Sequence, residues 1–547
     1  MIQKKKIKMK MHLKDFTLED LFRFQKKIPQ LKPHQENKLA EKENSFLKQF
    51  LKKENIDQKL EKKEKKQLLE TIYNKICEKI EEEKESIKGD FYFPLDLRNQ
   101  SKRNLRKLSE TLKKNNYLEE IRLGVDGISM QFLFDAIKCN KSLKVLRIEN
   151  IDDDVGAHYL SKALESNDTL EELFFTNLKI TKNSSKFLFN FLKKNRSIKK
   201  IRFDNILFEE SGNKHFLKNM IKNTTLKMIF FNSFRNLNYY KNFAKFVKNN
   251  QQLEYLLFSQ CKINPGDMLS LSKSFENHQS LKEIQFRHNH LESQSILYLS
   301  ESLKHNNSLQ KLRIVRNKFE NLGMVYFSDY LKQNSTLQVL DVSENEINSD
   351  LAKCLFTSLN SNKSLKELNI SYNNIGYDGI KHLENINFET FGIFENKIGE
   401  KGFENLCDIL KPNQSLKKLF FTRNFYETKS ISLQLVDLLK TNNSICKIDE
   451  KNGGLMAKYF LNCNKEWKKE IHHKFSKSFK NSVFSFVCCL KKIEQNLPFK
   501  MGKFVVFEII KKVERKSFQQ LDFPEHPIPV IEKENQHDNK KRKREEN

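Results

Sequence analysis

The feature that most constrains this chain is an internal repeat. Residues 335–376 read STLQVLDVSENEINSDLAKCLFTSLNSNKSLKELNISYNNIG, and Leu337, Leu340 and Val342 are answered 28 residues later by Leu365, Leu368 and Ile370. Between the two sets Leu355 and Leu359 stand four apart, on one face of a helix. The unit is therefore a short strand, a turn and a helix. A chain built from such units needs no central core, because each unit buries its apolar face against its neighbours.

Taking the first apolar position of each L-x-x-L-x-L strand as an anchor gives Tyr92, Leu118, Leu143, Leu170, Ile198, Leu226, Leu253, Leu281, Leu309, Leu337, Leu365, Phe388, Leu416 and Ile445. Most intervals are 27 or 28 residues. An apolar helical pair keeps the same phase, from Leu108/Leu112 through Phe243/Val247 to Leu435/Leu439. A third column stands eight residues after the anchor: Asn289, Asn317, Asn345, Asn373, Asn396 and Asn424, with Cys261 one unit earlier. An asparagine there can satisfy backbone groups that the turn would orphan. In earlier units the asparagine slips one place, to Asn150, Asn177 and Asn205, and Phe often replaces Leu, which suggests a less regular first half. One unit is short: Leu365 to Phe388 is only 23 residues, and Asp378 and His382 stand where the helical pair belongs. A shortened helix and looser packing are expected there.

The unit L-x-x-L-x-I-x-x-N-x-I followed by a full helix resembles the leucine-rich repeats of the ribonuclease-inhibitor type, also found in NLR receptors and Ran GTPase-activating proteins. The resemblance implies an α/β solenoid, a horseshoe with parallel strands on the concave face and helices on the convex face. It spans the array, residues 91–452, and implies about 14 units. The flanks divide into a basic segment over 1–35, a charged helical cap over 36–90, an aromatic-rich helical module over 453–520 and a polar tail over 521–547. Around Leu497-Pro498 the module looks somewhat like the start of an F-box, so residues 455–518 are either a cap or a docking site for a ubiquitin-ligase core.

Composition narrows the function. The net charge is +29, yet Lys, Asn, Ile and Phe are abundant while Gly (15) and Pro (9) are scarce, the pattern of an AT-rich genome. Much of the lysine then decorates solvated faces. Nucleic-acid binding would need the basic residues gathered into one stripe. Nine cysteines without a framework spacing, and no apolar run after the lysine-rich start, suggest a reducing intracellular setting, cytoplasmic or nuclear. No run is long enough to span a bilayer, so membrane insertion is not expected. The tail run Lys540, Lys541, Arg542, Lys543 and Arg544 fits a nuclear import signal.

Chemistry is scarce. Gly502-Lys503 and Gly453-Gly454 do not complete a phosphate-binding loop, so the nucleotide-binding engine of NLR receptors is missing. His472-His473 and Cys488-Cys489 are adjacent pairs, whose side chains on a helix point about 100° apart and rarely share one ion. No catalytic residue, metal site or cofactor is assigned.

The informative surface is the concave one. Leucines of each strand point to the core, so the residues between them face outward. The central column reads Asp96, Arg122, Arg147, Phe174, Arg202, Phe230, Leu257, Gln285, Arg313, Asp341, Asn369, Gly392 and Phe420, with Met228 and Tyr255 beside it. Arginines in the first half are followed by an apolar and aromatic patch. Exposed patches of that kind mark contact sites. The expected function is a protein-interaction scaffold whose partner has an acidic rim and an apolar anchor. A ligase adaptor, or a small-GTPase regulator as implied by the Ran GTPase-activating proteins, are the alternatives. The latter carry an acidic segment, whereas this chain ends in a basic one.

Overall fold

The computed structural model describes residues 102–448, with the strand Pro94–Asp96 ahead of them and short breaks at 125–126, 150, 152, 210–211, 235–239, 425–428 and 443. The basic N-terminal segment, the helical cap, the 453–520 module and the tail with its Lys540–Arg544 run lie outside the described residues. So do the paired histidines and cysteines of the module.

One parallel sheet of 14 strands runs from Pro94–Asp96 to Lys447–Ile448, each strand bonded to that of the unit before and after it. From Glu120–Gly124 onward, each strand of this sheet opens two residues after its anchor, as in Glu283–Arg287 after Leu281 and Lys311–Val315 after Leu309. Helices such as Ser293–Lys304, Asn321–Gln333 and Ser349–Ser361 return the chain from the end of one strand to the start of the next. Packed helices need about 8–10 Å between axes, whereas strands sit about 4.8 Å apart. The helical side therefore lies on the outside of the curve and the sheet on the inside.

The register corrects the first unit. Pro94, not Asp96, pairs with Arg122, and Asp96 pairs with Gly124. The first unit is thus offset by two residues from the sequence reading, and Asp96 leaves the central column.

The core is built in columns. Anchor leucines and helical pairs such as Leu299, Leu303, Leu355 and Leu359 are buried. Five residues after the anchor, Phe175, Phe203, Phe231, Phe258 and Phe286 stack face to face, with ring centroids 5.4–5.6 Å apart. The phenylalanines of the first half thus keep the same register as the leucines they replace.

The asparagine column also differs from the sequence reading. In the first half the position eight after the anchor is not vacated by a slipped asparagine; it is filled by buried Ile151, Leu178, Ile206 and Phe234. Asn177 and Asn205 occupy the preceding place, where the backbone is left-handed (φ 55° and 53°), a conformation asparagine tolerates well. Beside them Lys179–Ile180 pairs with Leu207–Phe208 in a second, two-stranded sheet.

In the short unit the helix shrinks to Gly376–Ile380 while the strand pairing Leu368↔Phe391 continues without a gap. Ile380, Leu383 and Ile386 fill the space the full helix would have covered.

Candidate protein interface

From Arg122 onward the pairing aligns the central column as read from sequence. Arg122, Arg147, Phe174, Arg202, Phe230, Leu257, Gln285, Arg313, Asp341, Asn369, Gly392 and Phe420 stand opposite one another from strand to strand. Met228 and Tyr255 pair in the flanking column.

The arginines are not bare cations. Arg122 is ion-paired with Glu149, and Arg147 with Glu120. Arg202 Nε donates to Asp204 Oδ2 at 2.6 Å. Arg313 reaches Glu283 at 3.3 Å and Asp341 at 3.4 Å. These carboxylates come from the columns on either side of the central one, apart from Asp341, and the spacing of leucines gives no hint of them. Phe174 is not an exposed anchor either. It is buried, with the Arg147 guanidinium 3.7 Å above its ring.

A part-exposed apolar patch lies on two adjacent strands, Met228–Asn232 and Tyr255–Ser259. Met228 is 36% exposed. Phe230 and Leu257 are half-buried neighbours, and the Phe230 and Tyr255 rings lie 4.6 Å apart. The Lys200 ammonium is 5.7 Å from the Phe230 ring and bonds Glu172 at 2.8 Å. Burial pushes the Tyr255 phenol up to about 12. Toward the other end Gln285 and Asp341 are buried; Asp341 accepts from the Ser343 backbone and hydroxyl, and Asn369 accepts from the Ser371 amide.

Below this face run two side-chain ladders. In the first, Asn317 Nδ2 donates to the carbonyl of Phe286 in the preceding unit at 3.0 Å, while its Oδ1 accepts the N–H of Asn289. Asn289, Asn345, Asn373 and Asn424 repeat the donation one unit back. The second was not anticipated. Three residues before nearly every anchor stands an asparagine, among them Asn140, Asn167, Asn195, Asn306, Asn362 and Asn442, donating to the helix end of the preceding unit. Its Oδ1 accepts the anchor's own N–H, as Asn306 does from Leu309 at 2.8 Å. The signal was present in the sequence as a column in phase with the leucines. His278 takes this place in one unit, with Nε2 on the Asn250 carbonyl at 3.1 Å and Nδ1 facing the Leu281 N–H at 3.1 Å.

The ladders change at the short unit, where Asn396 Nδ2 still donates to the Ile370 carbonyl of the preceding unit at 2.9 Å. Asn396 Oδ1 is buried without a hydrogen-bond partner among the described residues, and Asn385, in the second column, is exposed.

Among the described residues no cluster of His, Cys, Asp or Glu suits a metal ion, and no helix is long and apolar enough to cross a membrane.

A leucine-rich-repeat family model matches residues 333–355 and 361–383. The match agrees with the repeating strand–helix geometry, which is that of a leucine-rich-repeat solenoid. No curated protein matches. Solved structures with a similar fold include yeast Rad7 in complex with Elc1 (12% identity, 75% of this chain and 96% of that one, TM-score 0.37). An internalin of Listeria monocytogenes (14%, 63% and 89%, 0.35) and TLR13 in complex with ssRNA13 (14%, 66% and 54%, 0.37) are further examples.

Proposed function

We propose that this chain is a non-catalytic protein-interaction scaffold that engages its partner on the concave face, around Met228, Phe230, Tyr255 and Leu257. The observation that carries this reading is the part-exposed apolar patch shared by two adjacent strands. An apolar core ringed by polar groups is the usual anatomy of a protein interface. The neutralised arginines argue against a polyanion such as nucleic acid, whose affinity comes from releasing counterions to unpaired cations. They also leave the partner's acidic rim less to pair with than their number implies. An intracellular site of action goes with this proposal, since Cys139, Cys261, Cys354 and Cys407 are free thiols.

The test is affinity purification of the full chain beside a Phe230→Ala/Tyr255→Ala variant, with quantitative mass spectrometry. Partners of the concave face should fall at least tenfold in the variant. Equal recovery from both would remove the reading.

A further inference from the structure

Arg287 lies outside the central column, at the end of the strand Glu283–Arg287, and its neighbours across the sheet are Ser259 and Val315. Neither supplies a carboxylate. Instead Arg287 Nε donates to Gln285 Oε1 at 2.8 Å. Gln285 Nε2 donates to Glu283 Oε1 at 2.5 Å, and the same oxygen accepts Arg313 Nε at 3.3 Å. This chain of bonds holds the guanidinium by its Nε edge. The two Nη nitrogens have no partner among the described residues, in contrast to Arg122, Arg147, Arg202 and Arg313, which all hold carboxylates. A planar fork with both Nη groups free is the geometry that grips a carboxylate through two parallel hydrogen bonds. The Arg287 charge also acts on the phenol of Tyr255, which ties it to the apolar patch.

The spacing sets the ligand. Phe230 is aligned with Leu257 and Gln285, so Arg287 lies two strands and two residues away from it. With strands about 4.8 Å apart and about 3.3 Å per residue, that separation is about 12 Å between backbones. An extended peptide covers this in about four residues, and its side chains return to the same face at every second one.

Resting on the concave-face reading above, we infer that Arg287 is the carboxylate receptor of this surface and that the partner offers an extended acidic segment. An apolar side chain of that segment seats on Met228, Phe230, Tyr255 and Leu257. An Asp or Glu four residues away is held by the Nη pair of Arg287.

The experiment is selection of a random-peptide display library on the full-length chain, repeated on Arg287→Glu and Phe230→Ala. Selected sequences are then remade with amidated C-termini, so that only side-chain carboxylates can serve. The expected consensus is an aromatic or aliphatic residue with Asp or Glu four positions away. Arg287→Glu should weaken these peptides at least tenfold and move selection toward Lys or Arg at that position, with an unchanged thermal midpoint. Peptides that need Phe230 but show no acidic preference, or no response to Arg287→Glu, would overturn the inference and leave the concave-face reading standing. Peptides that lose affinity only on amidation would overturn it in favour of a terminal carboxylate. If no peptide is selected, or none depends on Phe230, the concave-face reading falls and the inference with it.

Discussion

The backbone N–H of Asn317 donates to Oδ1 of Asn345, 28 residues later, at 2.9 Å. Asn345 in turn donates from Nδ2 to the carbonyls of Ile314 and Ser343, at 2.6 and 2.9 Å. One fully buried side chain thus serves three backbone groups on two units. Asn345→Ala would orphan all three, at an expected cost of about 2–4 kcal/mol in urea denaturation. Asn345→Leu should cost as much, although Leu178 fills the corresponding place in an earlier unit.

His278 gives the fold a pH dependence. Burial disfavours its imidazolium and lowers its pKa, and Nδ1 must stay unprotonated to accept the Leu281 amide. The unfolded chain therefore binds this proton more readily than the folded one. Its stabilising contribution is complete above the ordinary histidine pKa of about 6.5 and is lost as the pH falls below it. The thermal midpoint of wild type should drop further between pH 7.5 and 5.5 than that of His278→Asn, which restores the residue used elsewhere in the ladder.

Gly379 is the close-contact point of the shortened helix. A methyl group there would sit 2.7 Å from Ile375 Cγ2, 3.0 Å from Ala352 Cβ and 3.2 Å from the Ser349 backbone. Gly379→Ala should destabilise by about 1–3 kcal/mol, despite the better helix propensity of alanine. Equilibrium unfolding of the two proteins checks this.

The thiols should separate by reactivity. Burial pushes Cys261 and Cys407 up to about 12, whereas Cys139 is exposed. Iodoacetamide at neutral pH should label Cys139 within minutes and leave Cys261 and Cys407 unmodified until denaturant is added, as read by peptide mass spectrometry. Labelling of Cys261 in the folded protein would contradict its placement against the Phe231 and Ser259 carbonyls.

The columns were legible because period and phase are properties of sequence. Leucine spacing alone placed Arg147 opposite Phe174 and Phe230 opposite Leu257, as the pairing shows. It misplaced Asp96, where Tyr92 mimicked an anchor two residues late. It also took Asn177 for a displaced ladder residue, because a left-handed turn and a buried hydrogen-bonding site both favour asparagine. The asparagines before each anchor recur in phase, but asparagine is common at turns for several physical reasons, so its column alone does not reveal a buried hydrogen-bonding role. The pairing of Arg122 with Glu149 and of Arg147 with Glu120 was beyond reach: which arginine turns toward which carboxylate depends on side-chain direction across strands.

Those pairs have a consequence for a chain of net charge +29. Its inner face carries its own counterions, so much of it is electrically quiet within a strongly basic molecule. Long-range attraction decides how fast a charged partner arrives, but little of that pull originates on this surface. Apart from the carboxylate contact at Arg287, complex formation there should vary only shallowly with ionic strength, and residence time should follow the fit of side chains between Met228 and Leu257. The protein would then hold its partner by the fit of that patch and one short-range contact at Arg287, with little long-range pull to draw other anions to the same face.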